Sequence, residues 1–179
     1  FAVSALRGDG MDALRAHLLA AAASSPHAGG ASAFDGFRMG LDRVFTLGGI
    51  GTVVAGSIAS GEVAVGDSLC LAHAPTQRWR VRSLHSHNRS LERAQAGQRC
   101  AVGLAGLERQ QVERGMTLCD PALALSSRRL DVWLRVAPNA DRSLRSGTLV
   151  HLHLGTQDVL ATVAVLGQSA IAPGAAAPA

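Results

Sequence analysis

The sequence contains no lysine: every one of its 17 basic residues is arginine. Without an ammonium side chain there is no Schiff-base nucleophile and no lysine for a phosphate-gripping loop, so a large group of enzymes is excluded. Aromatic residues make up only 3% of the 179 residues, and the core has to be assembled from alanine, valine and other small pieces. The cysteines, Cys70, Cys100 and Cys119, are odd in number, scattered, and form no C-x-x-C pair. They support neither a disulfide framework nor a zinc knuckle, and they suit a reducing, cytoplasmic setting. The longest apolar run, Val159 to Leu166, is far too short to cross a bilayer, and Phe1-Ala2-Val3 does not open a signal peptide. No membrane partner is expected. The first residue is not methionine, so the chain reads as part of something longer.

The composition that remains is that of a globular chain. A hydrophobic content of 47% is too high for disorder. The 17 basic residues outnumber the 13 acidic ones, leaving a formal charge of +4, a mild excess that fits an RNA or phosphate partner.

Residues 1–25 read as strand end, turn and helix, with Met11, Leu14 and Leu18 at helical spacing. One helix and an apolar stub cannot bury their own apolar face, so this segment is expected to be the remnant of a larger α/β domain. Residues 26–36, rich in Gly, Ala and Ser, read as a linker. From Phe37 to Pro121, β-branched runs are separated by Gly48-Gly49, Ser60-Gly61 and Gly66-Asp67. Turn signals at such short intervals predict about seven strands, enough for a closed barrel. Arg78, Arg80 and Arg82 alternate with Trp79 and Val81 and so share one strand face. A second β unit over residues 128–166 shows three strands, too few for a barrel. The Ala/Pro/Gly-rich residues 167–179 read as a disordered tail.

The run Val44-Phe45-Thr46-Leu47-Gly48-Gly49-Ile50-Gly51-Thr52-Val53-Val54-Ala55-Gly56, followed by Gly61-Glu62-Val63-Ala64-Val65-Gly66-Asp67, resembles the second domain of translational GTPases such as elongation factor Tu. Val3-Ser4-Ala5 resembles the last guanine-recognition element of their G domains, making Ser4, Ala5 and Leu6 its remnant. Three narrower stretches are similar to the selenocysteine-specific elongation factors: Asp42-Arg43-Val44-Phe45-Thr46, Glu92 to Ala101, and His151 to Thr156. The resemblance runs from Phe1 to about Leu166. It implies a mainly β fold: a translation-factor-type antiparallel β-barrel (domain 2), preceded by one α-helix left from an α/β G domain and followed by a truncated second β-barrel (domain 3).

No G-x-x-x-x-G-K-[ST] and no Asn-Lys-x-Asp motif occurs, so this chain alone is not expected to hydrolyse GTP or to hold a cofactor. The resemblance assigns GTP and Mg2+ to the full-length parent. It also implies selenocysteinyl-tRNA and the ribosome as partners, with a messenger hairpin bound through C-terminal domains not seen in this sequence. Rival readings are another translational GTPase, elongation factor Tu-like or initiation factor gamma-like, and a structural barrel without RNA binding.

Carried over from the family, Arg43 and Arg99 are the candidate selenolate contacts. Asp42 would orient an arginine or take the amino group of the amino acid. In a regular strand Asp42 and Arg43 point to opposite faces, so either a bulge re-aims one of them or only one lines the pocket. The plain alternative is that Asp42 and Arg43 form a surface ion pair and Arg99 is a solvated strand arginine. Arg78, Arg80 and Arg82 either track tRNA phosphates or guard an edge strand against aggregation. His85 with His87, and His151 with His153, are i, i+2 pairs expected to share a strand face, but two ligands do not make a metal site. Trp79 and Trp133 read as core or barrel-seam aromatics. No nucleophile elbow or triad spacing surrounds Ser4, Cys100 or Cys119, so no catalytic residue is assigned.

Overall fold

The computed structural model describes residues 1–24 and 36–179; the expected linker, 26–36, lies outside them except for Gly36. Helix α1 (Met11–Ser24) follows a turn in which the Ser4 carbonyl accepts from the Gly8 N–H. Asp12 sits in its first turn, where the helix dipole favours a carboxylate. None of its residues is buried among those described. Phe1–Val3, expected as a strand end, carries no strand assignment.

From Arg38 onward the chain is β. The first unit holds β1 (Arg38–Leu47), β2 (Gly51–Ser60), β3 (Glu62–Ala64), β4 (Ser68–Leu71), β5 (Ala74–Ser86), β6 (Arg89–Leu91), β7 (Arg93–Gln95), β8 (Arg99–Ala105) and β9 (Thr117–Cys119). These are nine strands where about seven were expected, because the short β6 and β7 fall in a polar, arginine-rich segment with no apolar run to mark them. The sheet order is β4-β9-β1-β2-β8-β5-β6, every pairing is antiparallel, and an extra β4–β5 pairing closes the ring. Closure removes the open edges of the six strands in the ring.

Register explains the interior. Val44 faces Val54, Val54 faces Val102, Val102 faces Leu84 and Leu84 faces Leu91, giving one inward row across five strands. Leu41, Gly56 and Cys100 form a second inward row. Phe37, Met39, Leu69, Leu71, Val81, Leu104 and Leu118 complete the core, with Trp79 among them. The barrel interior therefore uses one Trp and one Phe and is otherwise aliphatic. Two glycines are fixed by geometry. A Cβ on Gly56 would collide with the Gly40 carbonyl, so β1 and β2 approach closely only because that position is bare. Gly61 takes φ of +67° in the β2–β3 turn, a region side chains avoid.

The second unit holds β10 (Trp133–Arg135), β11 (Leu144–Arg145), β12 (Leu149–Leu154), β13 (Gln157–Thr162), β14 (Ala170–Ile171) and β15 (Ala176–Pro178). Residues 167–179 are not a disordered tail: β14 pairs with β11, and β15 pairs with β10. Ile171 and Ala177 are buried with Val136, Val163 and Val165. Composition misled here because small apolar residues suit a small valine core, and pairing partners lie about 25 to 45 residues away in sequence. Trp133, expected inside, is 71% exposed. The tip of the β12–β13 hairpin rests on the barrel: Thr156 Oγ1 lies 3.6 Å from where a Gly40 Cβ would be, and Gln157 Cα lies 3.1 Å from the same point on Gly115. Bare backbone on the barrel makes room for this contact.

Cys70, Cys100 and Cys119 are free and buried. Burial first, then the neighbouring Cys70, push the Cys119 thiol up to about 12. Burial likewise raises Cys100, against an opposing hydrogen bond to the His85 backbone. Two outcomes follow. Native protein at neutral pH leaves all three thiols unlabelled by a thiol reagent and exposes them on unfolding; fast labelling of the native form contradicts the burial. Gly56→Ala forces β1 from β2 and lowers stability by roughly 1–3 kcal/mol, read as a reduced urea midpoint; an unchanged midpoint contradicts the close approach.

Candidate functional site

The outer face of β1 is set by an irregularity. Leu41 pairs with Gly56 and Arg43 with Ala55, so Asp42 is an extra residue, a β-bulge. Leu41 and Val44 both face inward. The two residues between them, Asp42 and Arg43, consequently both face outward. Regular alternation would have sent one of them into the core. The bulge resolves the expected conflict between these neighbours.

Arg99 reaches the same face from β8. It faces Ser57, which faces Gly40, and all three lie outside the inward rows. Its guanidinium grips Asp42 with two parallel bonds: Nε donates to Oδ2 at 3.1 Å and Nη2 to Oδ1 at 2.7 Å. Asp42 is 28% and Arg99 51% exposed, so the pair is open to solvent and adds at most about 1 kcal/mol to stability. The Asp42 hydrogen bond, outweighing the cost of burial, holds the Arg99 pKa above its ordinary value. Two of the five guanidinium N–H donors serve Asp42, leaving the rest of the fork for a ligand. Arg43 is exposed and has no side-chain partner among the described residues.

Between these groups lies a floor of small residues. Arg43 faces Ala55, Ala55 faces Ala101, and Ala101 faces His85 on β5. Arg43 and Arg99 are two strands and two residues apart, roughly 12 Å between Cα atoms by strand spacing and rise. Their extended side chains can meet above the alanines. The hairpin tip at Thr156 borders this face at Gly40, and Thr156 Oγ1 is buried with no hydrogen-bond partner.

The other residues singled out from the sequence lie elsewhere. Arg78 and Arg80 point outward while Trp79 and Val81 are buried, as the alternation predicts. Arg82 is also exposed, but at a second bulge between Val81 and Ser83. Arg80 and Arg82 line a groove of about 510 Å³ with Val65, Gly66 and Ala105. Arg82 also borders a wider groove of about 840 Å³ beneath the β1–β2 turn. Neither groove includes Asp42, Arg43 or Arg99. Ser4, Ala5 and Leu6 lie in the turn before α1, with Leu6 97% exposed.

His87 and Asn88 take positive φ in the β5–β6 turn. His87 therefore leaves the strand that carries His85, and the two do not share a strand face. His151 and His153 do share the outer face of β12 with Asp158, at 3.1 and 3.8 Å from its Oδ1. Among the described residues, no group of three or more His, Cys, Asp or Glu is arranged to hold a metal ion. No described helix is long and apolar enough to cross a membrane. His85 stood out in the sequence only as half of a histidine pair; its place across the floor from Arg43 comes from strand pairing alone.

Comparison with known proteins bears on this face. Residues 51–119 match the family model of elongation factor Tu domain 2. The chain is 36% identical over 172 residues to a selenocysteine-specific elongation factor of Desulfomicrobium baculatum, covering 96% of this chain and 26% of that protein. It is 47% identical over 116 residues to the selenocysteine-specific elongation factor of Escherichia coli, covering 64% of this chain and 18% of that protein. In structure it resembles translation elongation factor SelB from Methanococcus maripaludis, crystallised in an apo form. The TM-score is 0.76 at 26% identity, covering 95% of this chain and 38% of that one. The chain thus spans about a quarter or less of the length of these curated relatives. A closed antiparallel barrel of the elongation factor Tu domain 2 type, with these matches in sequence and structure, assigns the chain to the selenocysteine-specific elongation factor family, as a segment that includes its second domain.

Proposed function

We propose that the outer face carrying Asp42, Arg43 and Arg99 holds the aminoacyl end of selenocysteinyl-tRNA within a longer, GTP-dependent elongation factor. The bulge at Asp42 carries this reading, since it turns both neighbours toward one face and lets Asp42 aim Arg99. A selenol ionises at lower pH than a thiol or an alcohol. Near neutrality, selenocysteine therefore presents an anion where its seryl precursor presents a neutral hydroxyl. Arginine stays charged at any accessible pH, so it responds to that difference and not to its own titration. A charge-assisted contact on a partly dehydrated wall is worth roughly 1.5–3 kcal/mol, or about ten- to a hundredfold. The open face in this chain sits at the lower end of that range until another wall excludes water.

Of the two roles open to Asp42, the geometry favours the orienting one. Its carboxylate already accepts two bonds from Arg99, which preserves the direction of the guanidinium while solvent surrounds it. Ala55, buried, and Ala101, half-buried, add no bulk of their own between the two cations. Arg78, Arg80 and Arg82 form an exposed positive stripe around the grooves of the barrel and would follow the tRNA backbone in a salt-dependent way. In the full-length factor, GTP with Mg2+, the ribosome and the messenger hairpin would be met by parts of the protein other than this barrel face, in the cytoplasm.

Binding measurements on the full-length factor test this reading. Arg43→Ala and Arg99→Ala are each expected to weaken selenocysteinyl-tRNA by about tenfold or more while changing seryl-tRNA by less than about twofold. Equal losses for both cargoes contradict an anion-reading face.

A further inference from the structure

The cationic balance of the face is thinner than its residue count suggests. Asp42 offsets part of the Arg99 charge through a two-bond contact, so Arg43 is the one arginine of these two with no carboxylate partner among the described residues. The opposite rim of that floor is His85. The row runs Arg43, Ala55, Ala101, His85 and Ser90 across five strands, one residue from each. His85 lies next to Ala101, two residues along β8 from Arg99, which makes His85 and Arg99 diagonal neighbours at about 7–8 Å. Its ring is exposed and has no side-chain partner among the described residues. Buried Leu84 and the half-buried core neighbour Leu91 fix the direction of the strand beneath it.

We propose that His85 is a further specificity-determining residue of this face, supplying a second, titratable cation opposite Arg43 for an anionic aminoacyl side chain. The proposal rests on the aminoacyl-end reading given above. The charged groups that strand pairing places on this face with His85 are Arg99 with its partner Asp42, diagonal to it, and Arg43 at the far end of the row. Histidine is the side chain whose charge ordinarily changes between about pH 5 and 8, so a contribution made by its cationic form is larger at the acid end of that range.

The test uses the full-length factor and measures dissociation constants for selenocysteinyl-tRNA and seryl-tRNA at pH 6 and pH 8. The selenocysteine preference is expected to be roughly threefold or more larger at pH 6 than at pH 8. His85→Gln should lower it at pH 6 and flatten the profile, and His85→Arg should hold it high at both values. Arg43→Ala serves as the control. If His85→Gln leaves preference and profile unchanged while Arg43→Ala reduces the preference, the role of His85 is overturned and the aminoacyl-end reading stands. If Arg43→Ala also leaves the preference unchanged, the reading fails and the role of His85 fails with it.

Discussion

Strand β1 has one residue too many opposite β2, and the chemistry of the barrel's outer face depends on where that residue sits. A two-residue repeat would carry Asp42 and Arg43 to opposite sides, one into an aliphatic core that cannot accommodate a charge. The bulge places both in solvent, keeps Leu41 and Val44 inward, and brings Asp42 within two hydrogen bonds of Arg99 on β8. A sheet with its bulge one residue earlier or later would keep the same composition and the same barrel. It would lose the fork, and Arg99 would be an ordinary solvated arginine.

Small residues make this arrangement possible from below. Gly56 allows β1 to press against β2 where the Gly40 carbonyl would otherwise meet a side chain. Ala55 and Ala101 leave a low floor between the cations, and Gly40 and Gly115 leave room for the hairpin tip at Thr156. The scarcity of aromatic residues and the abundance of alanine and glycine are consistent with close approaches of backbone to backbone. Stability comes from aliphatic rows that cross five strands, such as Val44 to Leu91, and from closure of the ring through β4 and β5. The thiols take no part in reactivity, because they are packed into those walls.

Much of the barrel was legible in the sequence because its signals are local. Turn glycines, β-branched runs and the alternation of Arg78, Trp79, Arg80 and Val81 each depend on a few adjacent residues. Features that depend on pairing were not legible. The bulge at Asp42 breaks the alternation rule from which strand faces are read, and so does the bulge at Arg82. His85 comes opposite Arg43 only after β5, β8, β2 and β1 are set in register. Residues 167–179 have the composition of a tail, yet Ile171 and Ala177 are buried because β11 and β10 offer them edges. Trp133 shows the converse, since a large apolar residue in a three-residue strand found no interior large enough to cover it.

An anion-reading face is defined by where the selenium atom sits, and selenium can be located directly. A crystal of the full-length factor with selenocysteinyl-tRNA, measured at the selenium absorption edge, gives an anomalous peak at that atom. The peak is expected above Ala55 and Ala101, within charge-assisted contact of the Arg43 and Arg99 guanidinium groups, with the Asp42–Arg99 fork intact. A peak over the Arg80–Arg82 grooves, or one on this face out of reach of both arginines, contradicts the account.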